Sequence, residues 1–434
     1  MMTSREIMTT IVKETIAATL PSNMVREKMK LEQDVLTIEG KSFALPKNRG
    51  VHLFGSGKAA VETARAVKEI LGDKLAEGFV VSNYPATLDG VEVFESSHPV
   101  LTEKSVRAAE ILIEKIAALT EDDFFIYVLS GGSSALVEKP VPPVSLADMQ
   151  ALTRGLLANG VPIEDINAVR KHLSLVKGGR LGRLTKARGV ALVVSDVIGD
   201  DLGAIGSGPL YFDRSTFSDA QEIMKKYRLW EGAPDPVLQV IQKGLAGDLE
   251  DTPKAENPRI DHFIIDSNVK ALRKAVESAA RLNVRAHIMT SRLRGEAREA
   301  GRVIVAIGEE IAEAGQPFAP PALLLFGGET TVTLRGDGRG GRNQEMALAV
   351  LHEIKGNPRF AFFSLGTDGI DGNSDAAGAI VDQESWQKAQ SRALNIEEYL
   401  ARNDSRGFFE QTGDLIKTGP TGTNVMDITA LLVV

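Results

Sequence analysis

From about residue 50 onward, short apolar runs alternate with stretches in which apolar residues recur every three or four positions. GVHLFGSG (50–57), GFVVSN (78–83), FFIYVLSGGSS (124–134) and GVALVVSDV (189–197) read as buried strands running into small polar or acidic residues. Between the first two, KAAVETARAVKEIL (58–71) has the spacing of a helix with one apolar face. Such alternation predicts right-handed crossover units and an α/β fold, a parallel sheet with helices on both faces. MMTSREIMTTIVKETIAATL (1–20) predicts an amphipathic helix; it lacks the basic flank and unbroken apolar stretch of a secretory leader.

Between Asp213 and Pro258 the pattern changes: WEGAPDP (230–236) and LAGDLEDTPKAENP (245–258) flank a marginal helix. This predicts a passage between an N-terminal domain, 1–235, and a C-terminal α/β domain, 236–434. The second domain is expected to open at HFIIDSN (262–268) with a strand and a helix. VRAHIMTS (284–291) then reads as a strand and 294–315 as a long helix. PALLLFGGETTVTLRG (321–336) reads as a strand with a further hairpin arm. A helix at 342–354, a strand and loop at 361–369 and a terminal strand at 427–434 complete it.

Composition narrows the class. The 434 residues suffice for two or three domains. A formal charge of −8 disfavours nucleic acid as the main partner, because phosphate backbones select basic faces. The absence of Cys excludes disulfides, thiolate metal sites and Cys nucleophiles. No apolar run reaches the roughly 18 residues of a membrane span, so a cytoplasmic protein is expected.

In parallel sheets ligands gather beyond the carboxyl ends of the strands. GSGKAA (55–60) stands at such an end: Gly55, Ser56 and Gly57 would let a phosphate approach, and Lys58 would face it. The spacing is too short for a Walker loop. It fits a loose dinucleotide turn whose acidic ribose partner is missing, since the next strand ends in Ser82 and Asn83. LSGGSSAL (129–136) offers Gly131 and Gly132 for close approach and Ser133 and Ser134 as donors. No His or other base pattern supports a Ser nucleophile.

INAVRKHLSLVKGGRL (166–181) spaces Asn167, Lys171 and Ser174 along one helical face, where Lys171 could meet an acidic ligand. SDVIGDDLGAIGSGP (195–209) supplies Asp196, Asp200 and Asp201, hard oxygen donors suited to Mg²⁺. GGET (327–330) and RGDGRGGRNQE (335–345) add Glu329, Arg339 and Arg342, and GTDGIDGNSDAAGA (366–379) adds Asp368, Asp371 and Asp375. The last resembles an EF-hand loop only in spacing and lacks its terminal Glu.

Taken together, these strings and SSHPV (96–100), GGETTVTLRGDGRGGRNQE (327–345) and KTGPTGTNVMD (417–427) are similar to those of the glycerate 2-kinase family, whose C-terminal part is the MOFRL domain. The resemblance runs in order from about 50 to 427; Leu210, where relatives often have Thr, is a minor departure. It implies a Rossmann-like, doubly wound parallel sheet followed by a smaller α/β domain with a mixed sheet, the MOFRL region falling at about 320–427. It implies ATP, Mg²⁺ and transfer of the γ-phosphoryl group to the 2-hydroxyl of D-glycerate, and it maps the family's active-site Lys and Arg onto Lys58 and Arg342. Nucleotide is expected along one domain's loops and glycerate in a cleft between domains, with closure excluding water. Asp196 and Asp368 are the candidates for accepting the hydroxyl proton, and Asp196, Asp200 and Asp368 for holding the metal. Some relatives carry the label hydroxypyruvate reductase. An NAD(P)H-dependent reductase is therefore the alternative, and a phosphosugar-binding regulator a third reading. A homodimer is compatible with all three.

Overall fold

The computed structural model describes residues 2–47 and 49–434, and the chain forms two compact units. One comprises Val25–Ile265; the other joins Asp266–Val434 to the segment ending at Met24. The division expected at 235/236 thus falls inside a helix, Asp235–Ala246. No helix among the described residues is long and apolar enough to cross a membrane.

The 25–265 unit begins with a small antiparallel meander, β1 (Met29–Glu32), β2 (Val35–Ile38) and β3 (Lys41–Ala44). Its main sheet holds β4 (Val51–Ser56), β5 (Leu75–Ser82), β6 (Glu92–Glu95), β7 (Phe124–Leu129), β8 (Arg188–Val194) and β9 (Ile260–Asp266) in the order β6-β5-β4-β7-β8-β9. β4 pairs in parallel with both β5 and β7, and β7 with β8. Every residue of β7 is buried, and Phe54, Phe79 and Tyr127 are centres of the core, as expected of a sheet covered on both faces. The register sets Ser56 opposite Val81 and Leu129, and Leu129 opposite Val193, so the strands end level. Strand order reverses between β4 and β7, which makes a crevice at their carboxyl ends.

HFIIDSN does not open the second domain: β9 is the edge strand of the first sheet. The 213–258 stretch is no linker either. Its helices, Phe217–Lys226 and Asp235–Ala246, bury Phe217, Met224 and Ile241 against Leu146–Ala158 and Ile163–His172. The many polar residues of this stretch cover the outer faces of a helical layer and so imitate a loop composition.

In the other unit, β10 (Arg285–Leu293), β11 (Ala322–Gly328), β12 (Phe360–Gly366), β13 (Gly378–Val381), β14 (Leu415–Ile416) and β15 (Asp427–Val433) form a mixed sheet, ordered β10-β11-β15-β12-β13-β14. β10 and β11 are parallel, and β15 runs antiparallel between β11 and β12. The expected helices appear at Ala297–Ala314 and Arg342–Ile354. The expected hairpin arm after β11 does not. Gly328, at φ +139°, turns the chain out of the sheet, and beyond it only an isolated Thr331–Glu296 bridge forms. The amphipathic helix Ser4–Thr19 belongs to this unit, where Arg5 bonds Asp382 and Asp414, both at 2.7 Å.

Candidate active site

In the 25–265 unit the turns after β4 and β7 interlock. Gly57 N–H donates to Val81, Lys58 N–H to the Gly131 carbonyl at 2.9 Å, and Ala59 N–H to Ser130 Oγ at 3.0 Å. Gly57 (φ +133°) must be glycine, because a Cβ there would sit 2.1 Å from Ser130 Oγ. Beneath the turns, Ser56 Oγ meets Tyr127 Oη at 2.7 Å and Ser133 Oγ at 2.5 Å. Both serines are buried, and Gly55 lies within β4 against Val128. The expected ligand contacts of Gly55, Ser56 and the Ser133 hydroxyl are therefore corrected: these groups build the floor. The Ser134 hydroxyl is likewise engaged, with Ser207 at 2.8 Å, and Ser207 bonds Asn167.

Backbone groups remain for a ligand. Among the described residues, the N–H groups of Gly131, Gly132, Ser133 and Ser134 have no acceptor. With Gly132 at φ +85°, they form a concave nest suited to an anion. Lys58 is half-buried beside it, and its ammonium has no hydrogen bond or ion pair among the described residues. A Cβ built on Gly132 would lie 3.1 Å from Lys58 Cγ and 3.4 Å from His98 Nε2. On the other side Asp196 presses on Gly131; a Cβ there would lie 1.5 Å from its Oδ2. Gly131→Ala is therefore expected to displace Asp196 or the nest and to reduce turnover about 10²-fold, the usual effect of misplacing a reacting group by roughly 1 Å. Steady-state kinetics on the folded variant check this, and unchanged turnover would show that the nest is not used.

Lys171 lies elsewhere than expected. Its Nζ is 3.2 Å from Asp213, which also accepts from Ser215 and Thr252, so the ammonium is committed to a buried pair. Ser174 lies beyond the helix, which ends at His172, and its Oγ accepts from Val176 and Lys177 N–H. Just below the nest, Lys177 Nζ meets Glu138 at 2.7 Å with both side chains fully buried, and Arg170 reaches from Glu138 to the Ser134 carbonyl at 3.0 Å. Burial pushes the Lys177 ammonium down to about 8, against the pull of Glu138.

In the other unit Arg342 opens its helix and makes a bidentate bond to Asp427, Nε–Oδ2 2.5 Å and Nη2–Oδ1 2.9 Å, while Nη1 is 3.1 Å from Glu329. Burial opposes the charge on Arg342, but these carboxylates outweigh it and keep the guanidinium more basic than usual. Glu329, expected to contact phosphate, instead neutralises Arg342; a carboxylate facing phosphate would repel it. Asp371 accepts from the backbone N–H groups of Asn343 and Gln344 at 3.1 and 2.8 Å and so caps the helix. Asp375 pairs with Arg406 and Lys417. The expected metal set divides: Asp196 and Asp200 follow β8, and Asp368 follows β12. Among the described residues no three His, Asp or Glu are placed to hold a metal ion.

Burial pushes the Asp427 carboxyl up to about 6, although Arg342 and Asn343 favour its charged form. An unfolded Asp loses its proton near pH 4, so between about pH 4 and 6 the native state binds more protons and stability falls as pH rises. Asp427→Asn is expected to remove a dependence on the order of 3 kcal/mol across that window. Urea denaturation at several pH values checks it; parallel curves for both proteins would refute it.

His98 and Asp427 border the candidate site but are not legible as candidates in the sequence. Each stands inside a string that carried the resemblance, SSHPV and KTGPTGTNVMD, but neither has a local partner to signal a role.

An α/β chain with an anion nest at the reversal of its sheet order belongs to the broad class of phosphate- or carboxylate-handling proteins. A family model described as a domain of unknown function, DUF4147, matches residues 7–242, and one described as the MOFRL family matches 322–427. Glycerate 2-kinase of Pyrococcus horikoshii is 40% identical over 99% of this chain and 97% of its own length. D-glycerate 2-kinase of Thermotoga maritima is 39% identical over 98% and 97%. A putative hydroxypyruvate reductase of Agrobacterium vitis is 38% identical over 89% and 88%. The crystal structure of glycerate kinase from Thermotoga maritima matches with a TM-score of 0.88 at 39% identity, covering 99% of each chain. That of a protein from Pyrococcus horikoshii OT3 matches at 0.89 and 40%, covering 100% of this chain and 99% of that one. The chain belongs to the glycerate 2-kinase family.

Proposed function

We propose that this protein is a cytoplasmic glycerate 2-kinase that transfers the γ-phosphoryl group of ATP, with Mg²⁺, to the 2-hydroxyl of D-glycerate and releases 2-phosphoglycerate. The observation that carries this reading is the nest at Gly131–Ser134, where four N–H groups have no acceptor among the described residues, beside the Lys58 ammonium, which has no partner among them either. Phosphoryl transfer needs positioning and charge neutralisation rather than a covalent intermediate, and these groups supply both. Lys58 would stabilise charge on the transferring group. Arg342, held by Asp427 and balanced by Glu329, would reach an anionic group of the substrate by exchanging Glu329 for it.

Mg²⁺ usually takes one or two protein carboxylates and fills its remaining positions with phosphate and water. Asp196, a carboxylate set against the Gly131 end of the nest, fits that demand as an oxygen donor. When bound, Mg²⁺ would neutralise charge on the phosphates.

The reductase reading gains the name carried by the Agrobacterium vitis relatives. It loses on chemistry, because β5 ends in Ser82 rather than an acid for a ribose and Gly55 serves strand packing. The test has two arms. With ATP, Mg²⁺ and D-glycerate, coupled ADP release and a 2-phosphoglycerate ³¹P resonance are expected. Oxidation of NADH by hydroxypyruvate, without ADP release in the first arm, would overturn the kinase.

A further inference from the structure

We propose that His98 is the proton acceptor for the substrate hydroxyl. The inference rests on the kinase reading. The imidazole projects over the nest from the loop after β6, its Nε2 within 3.4 Å of where a Gly132 Cβ would be, on the same glycine that Lys58 flanks. Neither ring nitrogen has a hydrogen-bond partner among the described residues, in contrast to His52 and His172, whose rings are bonded to Glu77 and Asp251. Lys58, on the turn after β4, is the charged group that acts on it. Glu95, on its own segment, is turned to Lys104 at 3.5 Å, and the Gly131–Gly132 turn brings no titratable side chain. Burial and Lys58 both disfavour the imidazolium, so near neutral pH the ring is uncharged and has an acceptor nitrogen. Asp196, the earlier candidate for this task, lies against Gly131, where a metal-bound phosphate would engage it; a carboxylate so committed is a poor base.

The 2-hydroxyl oxygen forms a bond to the γ-phosphorus while the bond from that phosphorus to the β,γ-bridging oxygen breaks. The bridging oxygen keeps the electron pair and leaves on the nucleoside diphosphate. The hydroxyl proton passes to His98 Nε2 and from there to water. This requires the tautomer protonated on Nδ1.

The test is the pH dependence of kcat and kcat/KM for D-glycerate in the wild type, His98→Gln and His98→Ala, with ATP and Mg²⁺ saturating. Wild type is expected to lose activity on the acid side, with a midpoint below that of an ordinary imidazole. His98→Gln should lower kcat about 10²–10³-fold, leave KM within about twofold and abolish that acid limb. Added imidazole should restore part of the rate of His98→Ala. A wild-type profile that is flat between pH 5 and 8 would overturn the proposal whether or not the variants fold. So would an acid limb retained in His98→Gln, or a rise in KM alone. Absence of any ADP release by the wild type would instead reject the kinase reading itself, which separates the two failures.

Discussion

Lys58→Ala is expected to lower kcat by about 10²–10³-fold, the usual loss when one preorganised donor to developing charge is removed. The structure makes this substitution a clean probe. The Lys58 side chain makes no hydrogen bond or ion pair among the described residues, and its backbone N–H, which ties the turn to Gly131, survives the change. Thermal stability should therefore stay near wild type while turnover collapses. Lys58→Arg should recover only part of the rate, because a planar fork cannot replace a point charge over the narrow floor of Gly132. Turnover close to wild type in Lys58→Ala would remove this lysine from the chemistry and the nest with it.

Glu138→Leu is expected to cost about 3–5 kcal/mol of stability, read from denaturant midpoints, because it leaves two buried cations without their carboxylate. Lys177 and Glu138 are both fully buried 2.7 Å apart, and Arg170 shares the same carboxyl at 3.7 Å. Pairing the change with Lys177→Met should return a good part of the loss, since an apolar pair in that space carries no desolvation penalty. Turnover should fall with the single change, because Arg170 holds the Ser134 carbonyl at 3.0 Å and so fixes one wall of the nest. A cost below about 1 kcal/mol would mean that water reaches the pair and the charges are not desolvated.

Much of the active-site floor was legible in the chain. The runs ending at LFGSG and FFIYVLSGG predict β4 and β7, and small residues at their ends predict turns that an anion can approach; both are found. What misled was the assignment of side chains within those turns. Ser56 and Ser133 have the chemistry of ligand donors, but a parallel register sets Ser56 against Tyr127, a mid-strand residue whose partner cannot be inferred from spacing, and Ser133 bonds Ser56 in turn. Lys171 follows Asn167 by one helical turn and reads as ligand-facing, yet its partner is Asp213, 42 residues on. Charge says that a lysine will find an acid, not which one.

The domain boundary failed for a related reason. A polar, proline-containing stretch looks like a linker when its apolar residues are sparse, and the Phe217, Met224, Val237 and Ile241 that bury it are widely spaced. β9 is similarly ambiguous, because HFIIDSN has the same pattern whichever sheet it joins.

Sequence alone therefore determined the elements and the chemistry at their ends: periodic apolar residues fix strands and helices locally, and glycines fix where the backbone can turn. Tertiary structure decided which of those ends are neighbours. β4 and β7 are separated in the chain by two strands and two helices; their hydrogen bonding sets Lys58 beside Gly132, and the pairing of β6 with β5 brings His98 to the same glycine. It also decided which carboxylate answers which cation, for Arg342 with Asp427 as for Lys177 with Glu138. Desolvation and register are properties of the packed core, to which residues distant in the chain contribute equally.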